Sequence, residues 1–338
     1  MAKRQRAAEN SRASATSGRT VDASAGGKPP MAWGYLIHLG FNMWEDREAP
    51  EIMERMPSRV ARPYLRCDQE LWDDVARRFA EIGGNMFVID LGEGVRYESH
   101  PELGCKKAWT PTKLKKELAK LRKLGIEPIP KLNFSTAHDT WLGPYARQVS
   151  TPIYYEVCKN LIEEVCELFD RPRLFHLGMD EETIGHQRYY AHAMVRQHEL
   201  WWHDLHFLVN EVEKHNVRSW VWSDYGWNHP EMFWKHMPRS VMQSNWYYGN
   251  KFDTSINYVK MYHELNARGY DQIPTGSNHN FVENMPMTVE YLQSIIDPAL
   301  LHGYLQTPWR LTMPEFKDRH LQAIDATKQA MDVASKKA

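Results

Sequence analysis

Arg173-Leu174-Phe175-His176-Leu177-Gly178-Met179-Asp180-Glu181-Glu182 is a short apolar run that ends abruptly in three acids. The run reads as a buried strand of about six residues. Gly178 permits close backbone approach, and the acids fall where the strand opens into a loop. In a barrel of parallel strands that place is the catalytic rim. Two neighbouring carboxylates there can take different protonation states, because like charges push one pKa up. A neutral acid beside an ionised one suits cleavage of a glycosidic bond. The plain alternative is a pair of strand-end acids that cap the next helix or pair with arginine. The rest of the chain decides between the two.

From Met31 onward, short apolar runs alternate with amphipathic helical segments, the pattern of βα units around a parallel sheet. Candidate strands are Gly34–His38, Asn85–Leu91, Ile126–Leu132, Leu174–Gly178, Val217–Trp222, Ser240–Ser244, Gln272–Gly276 and His302–Gln306. Helices are expected between them. Glu70–Ile82 precedes the second strand. Thr112–Leu124 follows a Thr110-Pro111 start signal and stops at Gly125. Pro152–Phe169 carries Ile153, Val157, Leu161, Val165 and Leu168 at helical spacing, so these are core residues. A long helix is expected over Tyr190–His215; its His198, His203 and His206 read as surface or satisfied histidines. The pattern implies an α/β protein, a single-domain (β/α)8 TIM-type barrel over residues 31–338, with its site at the carboxyl ends of the strands.

Those ends supply His38, Asp90 with Glu93, Lys131 with Asn133, Asp180 with Glu181, Trp222 with Asp224, Trp246, Asn278 with His279, and Trp309 with Arg310. A rim loaded with polar and indole groups points to a carbohydrate pocket, since indole faces stack on sugar rings. His176 reads as an inward-pointing structural residue. Trp44, Trp141, Tyr247 and Tyr248 fall in loops, where they could form subsites or cover the barrel mouth.

Composition narrows the choice. The 338 residues are 42% hydrophobic and 25% charged, enough for a full-sized core. A formal net charge of −1 gives no pull towards nucleic acid or anionic membrane. No segment approaches the length of a membrane span. Thirteen Trp and 16 Tyr are many, and fit an aromatic pocket. Cys67, Cys105, Cys158 and Cys166 form no CxxC pair, so they read as unpaired thiols rather than zinc ligands. Residues 1–30 are rich in Ala, Ser, Gly, Arg and Lys and read as a disordered tail or a cloning remnant. They lack the apolar centre of a secretory signal. On the sequence as given the expected compartment is the cytoplasm, or the periplasm or exterior if an export signal was removed. Barrel helices could pair into a homodimer.

At this point a resemblance is visible. His176-Leu177-Gly178-Met179-Asp180-Glu181 resembles the His-x-Gly-Gly-Asp-Glu signature of glycoside hydrolase family 20, the β-N-acetylhexosaminidases. Ser99–Leu103 followed by Trp109-Thr110 is similar to the family's Tyr-Pro-Glu-Leu segment. Gly125–Asn133 is similar to its Gly-Ile-x-Val-Ile-Pro-Glu-Ile-Asp strand, and Leu161–Phe169 to the helix before the signature. Trp220–Asp224 and Gln243–Trp246 resemble later strands that carry pocket tryptophans. The resemblance implies a (β/α)8 barrel and substrate-assisted, retaining hydrolysis, with no cofactor and no metal, of an oligosaccharide or glycoconjugate. Asp180 would orient the sugar's 2-acetamido group. Glu181 would be the general acid/base, kept protonated by the charge on Asp180. Trp222, Trp246 and Trp309 would wall the sugar.

The sequence also departs from the family. Its opening Arg-Gly is Trp33-Gly34 here, its third-strand Glu and Asp are Lys131 and Asn133, and its final Trp-x-Glu is Trp309-Arg310-Leu311. The tyrosine that bonds the acetamido oxygen is not evident around Asn278–Phe281. A divergent branch with a modified sugar is therefore expected. Lys131 and Arg310 would suit a sulfated or carboxylated sugar, or else form ion pairs with Asp90, Glu93 or Asp224. Three alternatives stand beside this reading. One is a glycosidase without acetamido assistance, with Asp224 or Glu93 as second acid. Another is a non-catalytic glycan-binding barrel. The last is a metal-dependent barrel that uses His38, Asp90, His176 and Asp180.

Overall fold

Strand residues alternate between two environments, and that alternation closes the sheet around a core. A computed structural model describes residues 30–336. All but Pro30 of the expected tail lies outside the described residues. The strands are β1 Ala32–His38, β2 Met86–Asp90, β3 Glu127–Lys131, β4 Leu174–His176, β5 Arg218–Trp222, β6 Met242–Ser244, β7 Thr275–Gly276 and β8 Gly303–Gln306. All pair in parallel, in the order β6-β5-β4-β3-β2-β1-β8-β7. Thr275 N–H donates to Asn245 O at 2.9 Å and Ile273 N–H to Gln243 O at 2.9 Å, which closes the ring between β6 and β7. The eight expected strands are present, and each carboxyl end falls within two residues of the expected one.

Leu36, Val88, Ile129, Leu174, Trp220 and Leu305 point into the barrel and pack on one another. Their neighbours Tyr35, Ile37, Phe87, Ile89, Phe175 and Val221 point outward against the helices. This period of two is that of a barrel whose lumen is filled by side chains.

The helices follow their start signals. Asp68 caps Gln69–Glu81 by accepting from Leu71 N–H at 2.8 Å. Thr110 caps Pro111–Lys123, and Thr151 caps Pro152–Leu168. Gly125 takes φ +78° just past the second of these, where a residue with a β-carbon is disfavoured. The four cysteines are free, two of them buried on Pro152–Leu168. Among the described residues no helix is long and apolar enough to cross a membrane.

One expected element is shorter. The helix expected over Tyr190–His215 spans Glu199–Glu213. Residues 183–198 form a loop instead, because side chains hold that backbone open. Buried Arg196 donates to Glu182, to Asp204 at 3.0 Å and to Phe134 O at 2.6 Å. Gln187 brackets Met194 through both its backbone groups, and His198 takes φ +52° where the helix begins. On the helix, His203 meets Tyr155 and Asp204, and His206 meets His236 O, so both are satisfied.

Removing one partner from a buried ion network leaves the others uncompensated, at a cost of about 3–5 kcal/mol. Arg196→Met should lower unfolding free energy by about that amount in a urea titration. A loss below about 1 kcal/mol would show that the loop is anchored elsewhere.

Candidate active site

The backbone turns sharply at the end of β4, and that turn aims the acids. Gly178, Met179 and Glu181 all have positive φ, at +73°, +75° and +55°. Such conformations cost a residue with a side chain about 1–3 kcal/mol unless surrounding bonds over-determine them. Here they do. Met179 N–H donates to Asn133 Oδ1 at 3.2 Å, and Glu181 N–H to Asp224 Oδ2 at 2.8 Å. Ser135 Oγ donates to Asp180 O. A β-carbon on Gly178 would lie 1.9 Å from Asn133 Oδ1, so only glycine fits there.

Asp180 and Glu181 thus face one cavity of about 540 Å³ at the carboxyl ends of the strands. Asn133 Nδ2 donates to Asp180 Oδ1 at 2.8 Å. His138, in the loop after β3, lies between the two acids. Its Nε2 is 3.4 Å from Asp180 Oδ2 and 3.2 Å from Glu181 Oε2. His186 Nε2 lies 3.4 Å from the other Glu181 oxygen. Burial disfavours a charge on His138, but the two carboxylates outweigh it and raise its pKa to about 10. Burial likewise disfavours charge on Glu181, but hydrogen bonds with His138 and His186 hold its carboxyl below the usual range.

This corrects the expectation that Asp180 keeps Glu181 protonated: in the free site the proton rests on the histidine. His138 is a site residue that the sequence reading passed over. The available signal was a histidine five residues beyond Asn133, in a loop that follows a rim strand.

Aromatic rings line the cavity. Trp246 stacks on Tyr248 at 5.0 Å, and Trp309 Nε1 donates to the Tyr248 hydroxyl at 3.1 Å. Burial keeps that phenol protonated far above its usual pKa. Tyr248, a loop aromatic in the sequence reading, lines the cavity. Trp222 is fully buried behind Trp309, ring centroids 6.0 Å apart, and supports the wall from behind. Trp44 also lines the cavity, whereas Trp141 donates to Asn133 O at 2.9 Å and holds that loop.

Several expected sugar contacts lie beneath the pocket instead. His38, Asp90, Lys131 and His176 are register neighbours across β1 to β4, all buried. Lys131 Nζ bonds Asp90 Oδ2, so Lys131 answers an internal acid rather than an anionic sugar. Burial, with Lys131 adding to it, lowers the pKa of His38 and of His176. Gly178 N–H donates to His176 Nδ1 at 3.0 Å, and Trp220 and Trp222 flank the ring, which makes this histidine structural.

Glu93 accepts from Phe41 N–H at 2.9 Å and Asn42 N–H at 3.0 Å, which commits it to the loop after β1. Asp224 holds the Glu181 backbone and faces a neighbouring cavity of about 640 Å³ that Glu181 also lines. Burial and the charge of Asp180 push the Asp224 carboxyl well up. Neither acid is placed as an independent nucleophile. Nor do His38, Asp90, His176 and Asp180 form an ion site, since the Lys131 ammonium stands among them and takes Asp90. Among the described residues, the one group of ligand atoms close enough to hold an ion is His138, Asp180 and Glu181, within 4.8 Å of one another. A proton held there up to about pH 10 competes with any metal.

The site and fold together define a (β/α)8 barrel with a histidine-bridged acid pair in an aromatic pocket. Solved structures of that fold are similar to this chain. A chitobiase from Flavobacterium johnsoniae matches with TM-score 0.57 and 16% identity, over 78% of this chain and 48% of that one. A β-N-acetylhexosaminidase from Bacteroides fragilis matches with TM-score 0.59 and 13% identity, over 89% and 66%. Dispersin B matches with TM-score 0.55 and 14% identity, over 91% and 99%. The chain therefore has the barrel fold seen in glycoside hydrolase family 20, and it spans about half to two thirds of the first two structures. No protein-family model and no curated protein matches the sequence.

The raised pKa of His138 makes stability depend on pH in a definite direction. Its folded value of about 10 lies above the roughly 6.5 of an unfolded histidine. Its stabilisation is therefore complete below about pH 6.5 and is lost as pH rises towards 10. Melting temperatures of wild type should fall over that window, and those of His138→Asn should fall less. Parallel profiles would show that His138 is not charged in the fold.

Proposed function

We propose that this protein is a glycoside hydrolase that removes a terminal β-linked 2-acetamido sugar by a substrate-assisted, retaining mechanism. The observation that carries the reading is the Asp180–Glu181 pair bridged by His138 inside an aromatic cavity. Asp180 is fixed through both oxygens, by Asn133 and His138, so its carboxylate has one orientation to offer a ligand N–H. Glu181 is more open, with a quarter of its side chain exposed, and lies between two cavities. That suits a group that must meet first a leaving oxygen and then a water.

In the first step the acetamido oxygen attacks the anomeric carbon while the bond to the leaving oxygen breaks. The leaving oxygen takes its proton from Glu181. Asp180 accepts from the acetamido N–H and offsets the positive charge of the oxazolinium ring. Glu181 then takes a proton from water, which attacks the same carbon and reopens the ring with net retention. Tyr248 offers its hydroxyl to the acetamido oxygen, and Trp246 and Trp309 enclose the methyl and the sugar face.

The proton comes from the pair rather than from one residue. A histidine held protonated to about pH 10 beside a carboxylate held ionised contains a single shared proton across the neutral range. Sugar in the cavity displaces water from Glu181, disfavours its charge and draws that proton onto it.

Chromogenic β-glycosides with and without the 2-acetamido group test the reading. Hydrolysis should be confined to 2-acetamido sugars, and Glu181→Gln should lower kcat by roughly 10²–10⁴-fold. The alkaline limb of kcat/KM should lie near pH 10 in wild type and move down in His138→Asn. Hydrolysis of sugars without the acetamido group would sink the substrate-assisted step. Tight sugar binding with no turnover would leave a glycan-binding barrel.

A further inference from the structure

The cavity that holds Asp180 and Glu181 is ringed at its mouth by arginines that no acid answers. Arg55, Arg59 and Arg310 all line it, together with His279. Arg310 Nη1 lies 3.3 Å from His279 Nδ1 and donates to Trp309 O at 2.9 Å, while Arg59 lies over the Trp44 ring at 4.6 Å. Arg59 Nε is buried and has no acceptor. Among the described residues no carboxylate is within ion-pair distance of Arg55, Arg59 or Arg310. Elsewhere Arg196 pairs with Glu182 and Arg218 with Asp271, while Arg66 and Arg319 are satisfied by amide and carbonyl oxygens. The acids that line the cavity are Asp180 and Glu181, and His138 and His186 already answer them. Buried Glu45 lies within the field of Arg59 but beyond contact.

The cations also crowd one another. Burial depresses the pKa of His279, and Arg310, Arg319 and Arg59 add to the effect while the Glu181 carboxylate opposes it, so those guanidinium groups share one neighbourhood. Burial lowers the pKa of Arg310, with Arg319 contributing. Packing like charges around an aromatic pocket costs stability unless something negative enters it. Guanidinium forks recognise planar or tetrahedral oxyanions through paired N–H bonds.

We infer that the substrate carries an anionic substituent, a sulfate ester or a carboxylate, which Arg59 and Arg310 bind at the mouth of the cavity. This rests on the hydrolase reading for the acid pair but not for the anion contact, which binding alone reveals. It also reassigns the cation. Lys131 is committed to Asp90 beneath the floor, and Arg59 takes the place at the rim that Lys131 was expected to fill.

The test compares a neutral 4-nitrophenyl 2-acetamido-β-glucoside, its sulfate esters and the matching 2-acetamido-2-deoxy-β-glucuronide as substrates. Alongside, calorimetry measures the binding of sulfated N-acetylglucosamine, 2-acetamido-2-deoxyglucuronic acid and neutral N-acetylglucosamine. An anionic member should be preferred by at least about tenfold, as expected of one charge-assisted contact. Its identity tells sulfate from carboxylate. In Arg310→Ala and Arg59→Ala the ratio of anionic to neutral kcat/KM should fall by about 10–100-fold, mainly through KM, and Arg310→Lys should restore part of it. Thermal melts confirm that each variant is folded. Selective binding of an anionic sugar without turnover would uphold the inference and sink the hydrolase reading. Turnover of the neutral glycoside with no anionic preference, or no preference in either assay, would overturn the inference. The first of these two outcomes would leave the hydrolase reading standing.

Discussion

A single imidazolium between two carboxylates organises this site. His138 comes from the loop after β3, and Asp180 and Glu181 come from the loop after β4, so their contact ties adjacent loops together. Two carboxylates at this spacing repel each other in a low-dielectric pocket, and a cation between them offsets that repulsion. Because all three groups are largely buried, the charge balance is local and sets the proton inventory of the centre. One proton is held on the pair of His138 and Glu181. The strained backbone at Met179 and Glu181 becomes tolerable for the same reason, since Asn133 and Asp224 fix the turn that delivers the acids to His138.

Beneath the site the barrel changes character from layer to layer. The lower lumen is aliphatic and indole, as the packing of Leu36, Val88, Ile129 and Trp220 shows. Above it lies a polar layer of His38, Asp90, Lys131 and His176, whose one ion pair is internal. That layer is a buried floor. It carries charge without presenting it to the cavity, and it leaves the mouth to be furnished by loops. The guanidinium groups at the rim and the rings of Trp44, Trp246, Trp309 and Tyr248 come from segments beyond the strands, where chemistry can change without disturbing the barrel.

The strands were legible because burial on both faces writes apolar runs of fixed length, and loops cut them off with Gly, Asn and Asp. The place of Asp180 and Glu181 at the barrel mouth was legible for a related reason: acids at the end of such a run fall where the strand opens into a loop. What could not be read was the direction of side chains one layer apart. Lys131 and Asn133 differ by two positions on one strand and its continuation. Yet the first is sealed beneath the floor while the second bonds Asp180. Glu93 and Asp224 were correctly placed near the rim, but their partners are backbone amides, which carry no sequence signature. His138 and Tyr248 lie in loops whose paths depend on contacts distant in sequence. Residues 190–198 failed as a helix because Arg196 finds Glu182 and Asp204 only in the folded chain.

The most direct test of the account is the rate of hydrolysis across a series of β-glycosides whose 2-acetamido group carries zero, one, two or three fluorines. If the acetamido oxygen is the nucleophile that Asp180 holds in place, kcat/KM should fall steeply and steadily as fluorine drains electron density from that oxygen. A flat series would contradict the account, because it would show that the bond to the anomeric carbon is made by some other group.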